Sequence, residues 1–101
     1  MHGLTYSSHE FDVNYADYSL ARYLAARGFA VWTFDVAGYG ESQEVEDGFM
    51  PNSDYAAEDA AAAAAEILKV SGQKKLDVLG WSWGTVTSSR FVARHPEMVK
   101  K

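Results

Sequence analysis

The chain has 101 residues, enough for one small domain that buries roughly 60–70% of its unfolded surface and too few for two. Apolar residues make up 48% and charged residues 23%, the balance of a chain that folds rather than one that stays disordered. The net charge of −5 argues against nucleic acid and anionic membrane surfaces as partners, and the lack of cysteine excludes disulfides, zinc-thiolate sites and thiol nucleophiles.

The opening stretch MHGLTYSSHEF has no basic segment ahead of an apolar core, and no apolar run approaches the roughly 18 residues of a membrane span. A cytoplasmic chain is the expectation. In DYSLARYLAARG, the positions Tyr18, Leu20, Tyr23 and Leu24 recur at helical spacing and the segment closes on Gly28, which predicts an amphipathic helix. The run FAVWTF, Phe29 to Phe34, is apolar, rich in β-formers and bounded by Gly28 and Asp35, so a strand covered on both faces is expected.

From Asp35 the sequence DVAGYGESQEVEDGFMPNSD mixes glycine, proline and charge too irregularly for regular structure and reads as a long functional loop. DYAAEDAAAAAAEILKVSG then has high helix propensity, with Asn52 or Ser53 as N-cap, Lys69 near the end and Gly72 beyond it. Its alanines predict a small-residue face for close packing on a sheet. KLDVLG reads as a second buried strand, and TVTSSRFVARH as a helix stopped before Pro96. Strands alternating with helices in this order predict an α/β fold with right-handed crossovers and a parallel sheet.

The stretch LGWSWGT carries the chemistry. A strand that runs straight into a helix needs a sharp turn, and Gly80 and Gly84 allow one around Ser82. The hydroxyl would then stand exposed beside the N-terminus of the following helix, with backbone amides nearby to stabilise developing negative charge. The plainer alternative is a glycine-flanked turn with an incidental serine. Trp81 is a candidate pocket wall, set against the alternative that it and Trp83 simply pack at a sheet end.

With these motifs in view, the chain resembles the α/β hydrolase family over essentially its whole length. MHGLTYSS is similar to that family's His-Gly motif, FDVAGYGES to its strand and aspartate before a glycine-rich loop, LDVLGWSWGT to its nucleophile elbow, and RHPEMV to the end of the helix after the elbow. The resemblance implies a single partial domain over residues 1–101, a fragment of a doubly wound, mostly parallel sheet in a three-layer α/β/α arrangement. It implies Ser82 as nucleophile, the backbone N–H groups of Leu4 and Trp83 as oxyanion hole, and His2 and Gly3 as structural support. It implies no cofactor. Ala37, Trp81, Trp83 and Thr85 depart from the family's usual residues and leave the subfamily open.

A serine nucleophile needs a general base, which in this fold comes after it in the chain together with an acid. After Ser82 there are only His95 and Glu97, and thirteen helical residues would carry His95 about 20 Å away. His9 lies in the loop after the oxyanion motif and is expected at the pocket rim or exposed, with the role of base as the alternative, and Asp35 is read as structural. The expectation is therefore a chain truncated at both ends, inactive alone, that self-associates through exposed sheet edges. Its parent would be an esterase-like serine hydrolase acting on a small apolar ester. The alternative is a non-catalytic binding or interaction module with Phe29, Trp32, Trp81 and Trp83 around an apolar pocket. Dinucleotide binding through Gly38 and Gly40 fails at Gln43, and no metal-ligand set or P-loop is visible.

Overall fold

The computed structural model describes residues 1–47 and 49–101. Within them lie a 3-10 turn at Ser8–Phe11 and three α-helices: α1 at Leu20–Ala25, α2 at Ser53–Ser71 and α3 at Trp83–Arg94. Helix α2 begins and ends as its sequence predicts. The Asn52 side chain accepts hydrogen bonds from the amides of Asp54 and Tyr55, and Gly72 closes the helix in the left-handed conformation at φ 69°.

The core is the contact between α2 and α3. Ala57, Ala60, Ala61 and Ala64 form a buried small-residue face, and Phe91 of α3 packs into it with only 2% of its surface exposed. Burying that ring stabilises the pair by about 1.5–3 kcal/mol. The alanine face was expected against a sheet, and a helix fills most of that role, with Leu76, Val78 and Val99 at its margin. Arg94 bonds to both Asp54 and Glu58, and Arg90 bonds to Asp54 at 2.7 Å. Exposed pairs of this kind contribute at most about 1 kcal/mol each, so they set helix register more than stability.

The three-layer architecture around a partial doubly wound parallel sheet is not found, because the described residues form no sheet. One isolated parallel bridge joins Leu76 to Val99. Around it the amide of Leu76 donates to the Met98 carbonyl at 2.9 Å, and those of Lys100 and Val78 donate to the Leu76 and Lys101 carbonyls at 2.8 Å. Residues 30–34 make no backbone hydrogen bond among the described residues. Phe29, Val31 and Trp32 are exposed rather than covered on both faces.

The physical reason is the want of a partner. A ladder needs a neighbouring strand within about 4.8 Å, whereas residues 29–34 and 76–79 both line a cleft of about 630 Å³, with Ala60, Ala64 and Phe91 also in its lining, and share no backbone hydrogen bond. An apolar, β-branched run states a preference for extended structure but names no neighbour. The predicted crossover units and sheet edges fall with the sheet.

Helix α1 is six residues long, shorter than its apolar spacing predicts. Ser19 caps it by accepting from the Arg22 amide at 3.0 Å and donates to Asp12 at 2.6 Å. Tyr18 and Tyr23 are exposed, while Leu20, Ala21 and Leu24 edge the cleft. Among the described residues no helix is long and apolar enough to cross a membrane.

Candidate functional site

Ser82 is the N-cap of α3 and has φ 53° and ψ −122°. A non-glycine residue held at such angles costs about 1–3 kcal/mol and persists only where its surroundings enforce it. Here the enforcing contacts are close. A Cβ on Gly80 would strike the Gly84 carbonyl and come within 2.6 Å of the Ser88 hydroxyl oxygen. One on Gly84 would strike the Met1 carbonyl oxygen and lie 2.8 Å from that of His2. The turn is pinned further by the amide of Trp81 donating to the Met1 carbonyl at 3.1 Å, and by the Thr85 amide and hydroxyl donating to the Ser82 carbonyl at 2.9 and 2.7 Å.

The Ser82 side chain makes no capping bond to α3, and the residue is exposed. It lies against Gly3, where an added Cβ would sit 3.3 Å from the Ser82 Cβ and 3.7 Å from its Oγ. The His-Gly motif and the serine turn, about eighty positions apart in sequence, therefore meet. Among the described residues, the amides of Leu4 and Trp83 have no acceptor within the chain.

His2 is 1% exposed and both of its ring nitrogens are engaged. The Val36 amide donates to Nε2 at 3.1 Å, so that nitrogen carries the lone pair, and the hydrogen-bond network places the proton on Nδ1, which donates to the Gly3 carbonyl at 2.9 Å. The imidazole braces two loops and has no lone pair to offer a hydroxyl. Tyr39 lies 5.0 Å from it and Trp83 6.4 Å, ring centre to ring centre, and Tyr39 lies 5.7 Å from Trp83.

Asp35 joins the two glycine-containing loops. Its carboxylate accepts from the amides of Ser8 at 2.6 Å and Glu41 at 3.0 Å, and its carbonyl accepts from the Ser42 hydroxyl. Burial alone would raise its pKa, but the bonds from Ser8 and Glu41, with a smaller contribution from His2, hold the carboxyl below its ordinary value. Asp59 of α2 accepts from the Ala37 amide at 2.9 Å and fastens the same loop to the core.

The four aromatic residues expected around one pocket are separated. Phe29 and Trp32 line the cleft beside α2, and Trp81 is exposed. The indole Nε1 of Trp83 donates to the Ser53 hydroxyl at 2.9 Å, at the start of α2. Of the histidines that follow or flank the serine, His95 caps the far end of α3, about 20 Å of helix from Ser82. It faces Glu58 at 3.6 Å and Glu97 at 3.5 Å. His9 is exposed in its loop, 3.9 Å from Glu41.

Glu10, Tyr39 and Asp59 also hold the site and are not singled out from the sequence, and Ser53, read there only as a candidate N-cap, joins them. A carboxylate that serves one distant backbone amide, or a hydroxyl that serves one indole N–H, leaves no periodic or spaced pattern to find. Only the Ser8–Phe11 segment, acidic in its first turn, offered a local hint for Glu10.

The family described as the alpha/beta hydrolase fold matches residues 1–101, and the chain belongs to that family. No curated protein and no solved structure matches it.

Proposed function

We propose that Ser82 is the nucleophile of a serine-hydrolase site acting on carboxylic ester or related acyl bonds, with the amides of Leu4 and Trp83 as oxyanion donors. The observation that carries this reading is the strained Ser82 backbone, locked by Gly80 and Gly84, with the side chain free and set against Gly3. Membership of the alpha/beta hydrolase family supports it. In the reaction, the hydroxyl oxygen attacks the carbonyl carbon, the amides hold the resulting oxyanion, collapse breaks the ester C–O bond and the departing alkoxide leaves as the alcohol with the serine proton, and water then hydrolyses the acyl-enzyme to the carboxylic acid and the free hydroxyl. Each oxyanion donor of this type contributes about 2.7–4 kcal/mol. A small apolar ester suits the exposed Leu4, Tyr6 and Trp81 near the serine.

The test is reaction with an activated fluorophosphonate, which needs a placed serine and an oxyanion site. Labelling of the peptide that contains Ser82, lost in Ser82→Ala, is the expected result. No labelling of the folded chain would sink the assignment.

A second reading, a binding module without turnover, is favoured by one observation. Both nitrogens of His2 are committed, His95 lies at the opposite end of α3, and among the described residues no side chain is hydrogen-bonded to the Ser82 hydroxyl. Labelling by fluorophosphonate without turnover of an activated ester would identify a chain that holds the nucleophile half of the site only. Reversible binding of small apolar esters without labelling would favour the module.

A further inference from the structure

We infer that Glu10 is a positioning residue that aims the Leu4 amide at Ser82, an inference that rests on Ser82 being the nucleophile. Gly3 is the pivot. Its Cα joins two peptide planes, and each plane is held by a different partner. The plane before it is held by the Gly3 amide, which donates to Glu10 Oε1 at 2.7 Å across a separation of seven residues. That length is typical of a charge-assisted bond, about twice as strong as a neutral one. The plane after it is held by the Gly3 carbonyl, which accepts from His2 Nδ1 at 2.9 Å and from the Tyr6 amide at 3.3 Å.

Because the peptide is trans, the Leu4 N–H points opposite to the Gly3 carbonyl. Fixing both planes at Gly3 therefore fixes where the Leu4 donor points. His2 and Tyr6 set its plane, and Glu10 stops the residue from turning about its other bond. The restraint works against strain. The turn closed by Tyr6 and Gly3 carries Thr5 at φ 96°, a left-handed angle that a β-branched residue adopts only under constraint. Glu10 itself sits in the Ser8–Phe11 turn, whose Ser8 amide is tied to Asp35 at 2.6 Å. The carboxylate thus carries the anchoring of Asp35 back to the oxyanion loop.

The substitutions that separate positioning from bulk stability are Glu10→Gln, which keeps an acceptor oxygen, and Glu10→Ala, which removes it. Fluorophosphonate labelling rates of Ser82 are measured with both, beside hydrogen exchange at the Gly3 and Leu4 amides by NMR. Removing an oxyanion donor outright costs roughly 10²–10³ in rate, and misaiming one is expected to cost about 10-fold or more. Glu10→Ala should slow labelling by that factor and release the Gly3 amide to exchange, while Glu10→Gln restores both to near the starting chain. Equal rates in the starting chain and Glu10→Ala, or Glu10→Gln as slow as Glu10→Ala, would overturn the inference with the nucleophile reading intact. If the starting chain itself fails to label, the nucleophile reading falls. Gly3 exchange that is unchanged in Glu10→Ala would then overturn the positioning as well.

Discussion

Gly84→Ala sets two known effects against each other. Gly84 is the second residue of α3, and by helix propensity alone alanine should stabilise the chain by about 0.8–1.0 kcal/mol. The added methyl, however, would strike the Met1 carbonyl oxygen and come within 2.8 Å of the Met1 carbonyl carbon and the His2 carbonyl oxygen. These are backbone atoms and cannot swing aside as a side chain tip would. Overpacking of this kind costs about 1–3 kcal/mol, and displacing residue 1 also endangers the Trp81 to Met1 hydrogen bond, worth about 0.5–1.5 kcal/mol. The sum is a net destabilisation of about 0.5–3.7 kcal/mol once the propensity gain is deducted. Urea unfolding followed by helical circular dichroism measures it, and fluorophosphonate labelling reports whether Ser82 has moved. Gly72→Ala is the control, because nothing lies within 4 Å of that position and its φ of 69° alone opposes alanine. It should destabilise by about 1–2 kcal/mol with labelling unchanged. A Gly84→Ala chain more stable than its parent would refute the packing argument for the turn.

Phe91→Ala empties the centre of the α2–α3 contact and should cost about 3–5 kcal/mol, a large part of the roughly 5–15 kcal/mol a domain of this size has; a loss under 1 kcal/mol in urea unfolding would show that the ring is not the core. Asn52→Ala removes the acceptor for the Asp54 and Tyr55 amides and should lower stability by about 1 kcal/mol, read in the same assay. Asp35 has a folded pKa below its ordinary 3.8, so its contribution to stability is complete above that value and is lost as pH falls below it through the lowered folded value. Asp35→Asn should therefore flatten the acid limb of a stability–pH curve, and identical curves for the two chains would refute the assignment.

The parts of this chain legible in its sequence are those governed by local rules. Asn52, Gly72 and the alanine run dictate α2 through capping and propensity, and each acts within a turn or two of itself. The glycines around Ser82 were legible for the same reason, since a tight turn needs small residues at fixed offsets. The sheet was misread because strand pairing is a relation between distant segments. Phe29 to Phe34 has the composition of a buried strand, yet it lines a cleft, and residues 30–34 make no backbone hydrogen bond among the described residues. The alanine face was legible as a packing surface, but its partner Phe91 was not. Glu10 and Asp59 escaped for a related reason, because each serves a single amide seven or twenty-two positions away.

The tryptophans on either side of Ser82 face different surroundings, with Trp81 exposed and the Trp83 indole N–H bonded to Ser53 and its ring beside Tyr39. The chain thus carries two optical probes on one turn. Collisional quenchers reach Trp81, and Trp32 on the cleft, while Trp83, half-buried between Ser53 and Tyr39, is the less accessible of the pair. An adduct on Ser82 that disturbs the turn would alter the shielded emission, whereas one that only covers the surface would alter the quenchable fraction. Position and chemistry at the serine can then be followed in the unlabelled chain, by light alone.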